Sequence, residues 1–477
     1  MKLTFRRILL LFAIGSCLLG IYLATIRPGY FTSVRYLGAI IFLQLLLAAL
    51  WNYRQRFFPL LLLIFFWAGI GVPLASIWTS GRWFVLAVGG LAGFAIYLRD
   101  ESHHFGMFHL VAFVCVLSAV VSAMVSSYPA TAILKALSLL LLFFYGSAGA
   151  RLAVIGRETR FFSDLFVGVE VTVYCTAIAY FALGSEFFGS PNSLGAVMGV
   201  VMVPLLLWGI LISEATITRR RRSAAFVLSL LLLFFSFARA GIVAGLVSSV
   251  LLCIGLRRYR LLIKGASVAG LAALLIYTVA TRQSDNRGSI TSTFLYKGQP
   301  AAGVLGSRQS AWQQTVSVIR EHPWFGSGFG TSPTSDEQLQ TGTYASISTI
   351  AREHGNSYLA ILEWVGLLGA LSFFALVLLI AVRIFHVLAW MWKTGDPFHA
   401  AVPIAMVLVA GLVHAIFEDW LFATGYYLCV FFWSYAFVLF DVAPAGSPAV
   451  AAGRFRFRWA DNYGMAPPIV HDDASVS

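Results

Sequence analysis

Residues 219–260 read RRRRSAAFVLSLLLLFFSFARAGIVAGLVSSVLLCIGLRRYR. Two arginine clusters bracket an apolar stretch at 223–256, and one cation, Arg239, interrupts it near its middle. Crossing the hydrocarbon of a bilayer takes about 20 apolar residues, so the stretch holds two helices. Short loops rich in Lys and Arg stay on the cytoplasmic side. Both clusters then lie on that side, the helices run out and back, and Arg239 sits in an external turn. Placing an ionisable group at membrane depth costs about 2.5–3.5 kcal/mol. That cost marks Arg239 as a functional candidate ahead of a snorkelling helix-end arginine.

The rest of the chain agrees. Of 477 residues, 59% are hydrophobic and only 11% charged, with a mean hydropathy of +0.84. Soluble domains carry roughly a quarter charged residues, so a soluble enzyme, a disordered regulator and a disulfide scaffold are excluded. The formal charge of +13 reads as cytoplasmic loops that set topology, with arginines that face an anionic substrate or lipid. Nucleic acid is not implied. Cys17, Cys115, Cys175, Cys253 and Cys429 all lie inside apolar runs without CxxC or Cys/His spacing. They read as small core residues, with no metal, cofactor or structural disulfide.

Apolar runs at 8–24, 34–51, 57–78, 83–98, 108–125, 131–150, 164–183 and 193–212 precede the bracketed pair. Runs at 261–280, 358–382, 401–417 and 426–440 follow it. The expected fold is an all-α polytopic membrane protein of about 12–14 transmembrane helices, with a large extracytoplasmic loop before the last three. The predicted units are a helix bundle over 1–280, the loop over 281–356, C-terminal helices over 357–440 and a cytoplasmic tail over 441–477. The polar stretch at 281–355 far exceeds the roughly 15 residues beyond which loops are usually functional or disordered. Its periodic pieces at 307–320 and 343–352 predict helices over the membrane mouth. In the tail, Arg454, Phe455, Arg456, Phe457, Arg458 and Trp459 alternate cation and aromatic, which suits an anchor on anionic headgroups.

Ionisable residues supply the chemical candidates. Glu170 and Lys135 also fall within spans, where structural interhelical pairing is at least as good a reading. In the loop, Arg308 and Trp312 share one helical face. Next comes His322-Pro323-Trp324-Phe325-Gly326-Ser327-Gly328-Phe329-Gly330. Three glycines in five residues suggest a phosphate cradle, but no Lys-Ser/Thr follows and no strand precedes. A tight aromatic turn packed on the bilayer surface is the better reading. The loop ends in Arg352-Glu353-His354-Gly355-Asn356-Ser357, where Asn356 or Ser357 is a natural N-cap. His354 then lies at a helix N-terminus, whose dipole attracts anions and disfavours a protonated imidazole. A neutral histidine there suits a general base. A surface histidine in a cap fits the spacing equally well, and Glu418 is the competing base.

These motifs, in this order, resemble the O-antigen ligase and Wzy-type polysaccharide polymerase superfamily. The strongest marks run from Gly306 to about Trp433. They are Arg308 with Trp312, the His322–Gly328 segment, and His354-Gly355-Asn356-Ser357-Tyr358-Leu359 with Glu363 and Gly366-Leu367-Leu368-Gly369. Weaker marks are Ser190-Pro191-Asn192-Ser193-Leu194-Gly195, the Arg239 turn and Glu418-Asp419-Trp420, which extend the resembling region to about 190–433. The family usually places asparagine directly after the loop histidine, and here Gly355 intervenes.

The resemblance implies a metal-independent glycosyltransferase of GT-C type in the bacterial inner membrane. Its members move a glycan from undecaprenyl pyrophosphate to an acceptor sugar hydroxyl on the periplasmic side. Ligases transfer to lipid A-core, and polymerases extend another lipid-linked chain. The residues agree with such chemistry: arginines at a membrane mouth match a pyrophosphate leaving group, and no nucleotide-binding motif or DxD is present. The expected site is His354 and Glu418 as catalytic groups, with Arg239, Arg308, Trp312 and Asn356 binding substrate. The rival reading is a lipid-linked glycan flippase or other polysaccharide transporter. Paired halves, which many transporters show, are not evident.

Overall fold

A computed structural model describes residues 105–183, 191–267, 306–332 and 353–444, with isolated positions between Trp83 and Phe94 and Gly270. The expected spans at 8–24, 34–51 and 57–78, most of 83–98, the end of 261–280, the loop segments 281–305 and 333–352, and the tail from 445 lie outside the described residues.

Ten helical elements carry the description. They are α1 (Met107–Met124), α2 (Pro129–Phe144), α3 (Glu158–Leu183), α4 (Asn192–Ile212), α5 (Thr216–Phe235) and α6 (Arg239–Gly255), then α7 (Gly306–Glu321), α8 (Ser357–Thr394), α9 (Ala401–His414) and α10 (Tyr427–Val442). No strand occurs among the described residues. Among the described residues, five helices are long and apolar enough to cross a membrane: α1, α2 with its extension to Val154, α3, α4 and α8. The protein is an all-α, multi-pass membrane protein.

Lipid-facing and central helices are distinguished by burial. Helix α4 is 89% buried, whereas α1, α3 and α8 bury about 39% each. On α1 the exposed positions Leu110, Phe113, Val114, Leu117 and Val121 recur at helical spacing. Such a stripe suits hydrocarbon.

The bracketed apolar stretch is two helices, as its arginines require. Helix α5 ends at Phe235, Phe237 takes a positive φ of 53°, and α6 begins at Arg239. Small residues fix this turn against α4. A Cβ added at Gly195 would stand 2.5 Å from Ser236 Oγ, and one at Gly199 would stand 2.8 Å from Gly241 Cα. Two small-xxx-small faces, Gly195/Gly199 and Gly241/Gly245, therefore cross backbone to backbone.

At the opposite end of α5, arginines bind the end of α4. Arg219 donates to Ser213 O at 2.5 Å, and Arg222 donates to Gly209 O at 3.0 Å. Buried Glu170 of α3 pairs with Arg221 and Arg222. Glu170 is thus an interhelical pair. Lys135 instead donates to the carbonyl of Gly330, tying α2 to the glycine-rich turn. Arg151, fully buried, forks onto Asp441 and so joins α2's extension to the end of α10.

Candidate functional site

The loop segments before and after 333–352 converge on the end of the bundle that carries Arg239, and a break in α8 organises them. Within α8, Gly366 adopts φ 66° and ψ −177°, so the helix is interrupted there. An interrupted helix leaves carbonyls and amides without intrahelical partners. The Pro323–Gly328 turn supplies them. Ser327 N donates to Glu363 O at 2.8 Å and Gly328 N to Trp364 O at 3.1 Å. In return, Leu367 N donates to Pro323 O at 2.8 Å and Leu368 N to Trp324 O at 3.3 Å. A Cβ on Gly366 would stand 2.6 Å from Gly326 N. The turn is therefore a backbone splint across the break. The Trp324 and Phe325 side chains are exposed, and the backbone makes the attachment to α8.

The splinted break aims Glu363 at His354. Glu363 is fully buried, accepts from Ser332 Oγ at 2.8 Å and lies 3.1 Å from His354 Nε2. On the other side of the ring, Asp419 Oδ2 accepts from the His354 backbone N–H at 2.7 Å and lies 3.2 Å from Nδ1. Trp364 meets the ring edge-on at 5.4 Å. Burial alone would strip the imidazole of its proton, but the Asp419 and Glu363 carboxylates outweigh it and raise the pKa above the ordinary value. Burial likewise would push Asp419 up, and hydrogen bonds from His354 hold it below its usual range.

The two carboxylates work against the neutral imidazole expected at a helix N-terminus. A carboxylate at each ring nitrogen favours the protonated form of the imidazole over the neutral one. The ring is also fully buried, so it presents no lone pair to a substrate.

Glu418 and Arg308 pair at the partly exposed side of the site. Ser357 brings Glu418 to the site: its N–H donates to Ala415 O at 2.9 Å and its Oγ to Glu418 O at 2.6 Å. Arg308 divides its fork, Nη1 to Glu353 at 2.6 Å and Nη2 to Glu418. The Glu418 side chain stays 19% exposed and Arg308 12%. Arg239 lies within electrostatic reach of Arg308.

Gly355 explains its own presence. Its φ of 63° is left-handed, and a Cβ there would stand 2.8 Å from Arg308 Cδ. The residue that separates His354 from Asn356 is the one that lets the Arg308 side chain pass. Trp312 Nε1 donates to Gly355 O at 3.2 Å, so Trp312 braces this passage. Asn356 is the cap of α8: its Oδ1 accepts from Tyr358 N at 2.8 Å and Leu359 N at 3.1 Å. The Oδ1 is thus committed to the helix, and the side-chain amide N–H groups are the part of Asn356 left to meet a substrate.

Arg308, His354 and Glu418 are thus assembled with Arg239 nearby. Sequence reasoning weighed neither Glu363 nor Asp419 as a working part of the site, nor Ser332. The criterion that flagged Glu170 and Lys135, a charge within an apolar run, applies equally to Glu363 in Leu359-Ala360-Ile361-Leu362-Glu363-Trp364. Among the described residues, no cluster of three or more His, Cys, Asp or Glu side chains is placed to hold a metal ion.

Residues 224–374 match the O-antigen ligase family model, Wzy_C. The match begins in α5, ends in α8, and includes Arg239, Arg308, His354 and Glu363. Glu418 and Asp419 lie beyond it. The resemblance read from the motifs is borne out, and the chain carries an O-antigen ligase/Wzy-type domain. No curated protein matches the chain.

Proposed function

We propose that this protein is a bacterial inner-membrane glycosyltransferase that takes a glycan from undecaprenyl pyrophosphate and joins it to an acceptor sugar hydroxyl on the periplasmic side. The observation that carries the reading is the pairing of Arg308 with Glu418 at a partly exposed mouth, with Arg239 in electrostatic reach. A pyrophosphate leaving group needs more than one cation, and the arginine fork matches its oxygens. Orientation follows from the arginines at 219–222, which lie at the end of α5 opposite Arg239 and suit the cytoplasmic face. In this reading the bundle over 1–280 and the helices over 357–440 hold the donor lipid, and the loop over 281–356 covers the mouth.

The chemistry needs a base and a cation clamp. Incoming pyrophosphate competes with Glu418 for the Arg308 fork, so donor binding frees the carboxylate that the next step uses. The acceptor oxygen attacks the anomeric carbon as its proton passes to Glu418. The bond from that carbon to the pyrophosphate oxygen breaks, and undecaprenyl pyrophosphate leaves on Arg239 and Arg308. His354 serves as a positioning residue. As an imidazolium between Glu363 and Asp419, it fixes the backbone next to Glu418 and adds a positive field behind the leaving group.

Reconstitution in proteoliposomes with undecaprenyl-pyrophosphate glycan and candidate acceptors tests this. The expected result is glycan on the acceptor with one undecaprenyl pyrophosphate released per transfer. Glycan that crosses the bilayer while still bound to its lipid, with no transfer, would assign the protein to transport instead.

A further inference from the structure

Helix α7 carries a feature that the reaction centre does not use. Gln309, Trp312, Gln313, Val316, Ser317 and Arg320 recur on one face of it and, with Leu359 of α8, line a cavity of about 490 Å³. That volume lies within the range of small-ligand sites, roughly 300–1,000 Å³. Trp312, Val316 and Leu359 supply an apolar floor. Gln309, Gln313, Ser317 and Arg320 are exposed and form a polar rim. The cavity starts at Gln309, the residue after Arg308, and follows α7 to Arg320, about 18 Å at 1.5 Å per residue.

We propose that this groove is a glycan subsite, holding sugar units of the saccharide chain beyond the unit that reacts. The inference rests on the glycosyl-transfer reading and extends it. A pyranose has a C–H face and a rim of hydroxyls, which matches a floor of Trp, Val and Leu edged by side-chain amides. Each glutamine offers one carbonyl acceptor and two N–H donors, the set that pairs with neighbouring hydroxyls. Gln309 and Gln313 stand four residues apart and so side by side. A lipid tail would leave those amides unpaired, and a pyrophosphate would find one cation, Arg320. Continuity with the reaction centre places the occupant, because Trp312 also donates to Gly355, against which Arg308 packs. Arg320, at the far end, makes no ion pair among the described residues and would receive a carboxylate or phosphate substituent on the chain. Donor and acceptor both bring glycan to this mouth, and the kinetics separate them.

The test uses the full chain in nanodiscs. Its probe is the oligosaccharide released by mild acid from the lipid-linked glycan of the source membranes, with binding followed by saturation-transfer NMR. Gln309→Ala/Gln313→Ala removes two exposed amides and disturbs no buried group. Two lost hydrogen-bonding side chains should weaken probe binding roughly tenfold. KM should rise similarly with kcat retained. A rise in donor KM assigns the groove to the donor glycan, and a rise in acceptor KM assigns it to the acceptor. Equal binding by the double variant overturns the proposal, as does a wild type that transfers glycan yet binds no probe. A wild type that binds the probe in a glutamine-dependent way but transfers to no acceptor keeps the groove and removes the transferase reading.

Discussion

Gly366→Ala should loosen the candidate site without touching any of its side chains. A non-glycine residue at φ 66°, ψ −177° carries strain of about 1–3 kcal/mol. The added Cβ must also displace the Pro323–Gly328 turn, whose backbone it would overlap. Four backbone hydrogen bonds hold that turn to α8, each worth about 0.5–1.5 kcal/mol net. Loss of even half of them brings the total to roughly 2–6 kcal/mol. Gly395→Ala is the internal control. It shares the positive φ, at 65°, but nothing lies within 4 Å of its added Cβ, so only left-handed strain of about 1–2 kcal/mol applies. Thermal unfolding in one detergent, paired with hydrogen exchange of the peptides covering 322–332 and 360–368, separates the two. Gly366→Ala should lower the midpoint further than Gly395→Ala and lose protection in both peptides. Equal midpoints with unchanged exchange would refute the splint.

Glu418→Gln should lower turnover by about 10²–10⁴-fold, the usual span for a lost general base, while donor binding is kept or tightened because the carboxylate that competes for Arg308 is gone; an active variant would remove Glu418 from that role. His354→Ala should destabilise the protein by about 3–5 kcal/mol, because it leaves the buried Glu363 carboxylate without its cation, and a stable but inactive variant would return the base to His354. Arg308→Lys should impair transfer, since an ammonium does not reproduce the planar, rigid fork of the guanidinium; full activity in a product assay would count against the clamp. The raised pKa of His354 means that its contribution to stability is complete below the unfolded value of about 6.5 and is lost as pH rises through the folded one. Unfolding midpoints of wild type and His354→Gln should therefore converge in alkali, and a pH-independent gap would contradict the ion pair.

The helices were legible because hydrocarbon imposes a length and a composition on whatever crosses it. Paired arginines round 223–256 were enough to divide that stretch near Arg239, and the chain turns at 236–238, directly before it. Asn356 was legible as a cap because an Asx side chain before a helix has few other uses. The splint was not legible. Its bonds are backbone to backbone, and they leave a trace in sequence only as glycines, which the aromatic residues beside them obscured. The upward shift of the His354 pKa was not legible either. It depends on Asp419, 65 residues away, and on Glu363, which reads locally as one charge in an apolar helix.

Ser332 and His354 both reach the Glu363 carboxylate, and they flank the segment 333–352. Its two ends therefore meet at one buried point, whatever lies between them. The entropy of closing such a loop grows only with the logarithm of its length, by about 0.6 kcal/mol for each doubling. Insertions or deletions in 333–352 thus change the closure term little, and the feet stay fixed by Glu363. Evolution is free to rewrite the length and chemistry of the stretch beside the reaction centre while the helices beneath it keep their places.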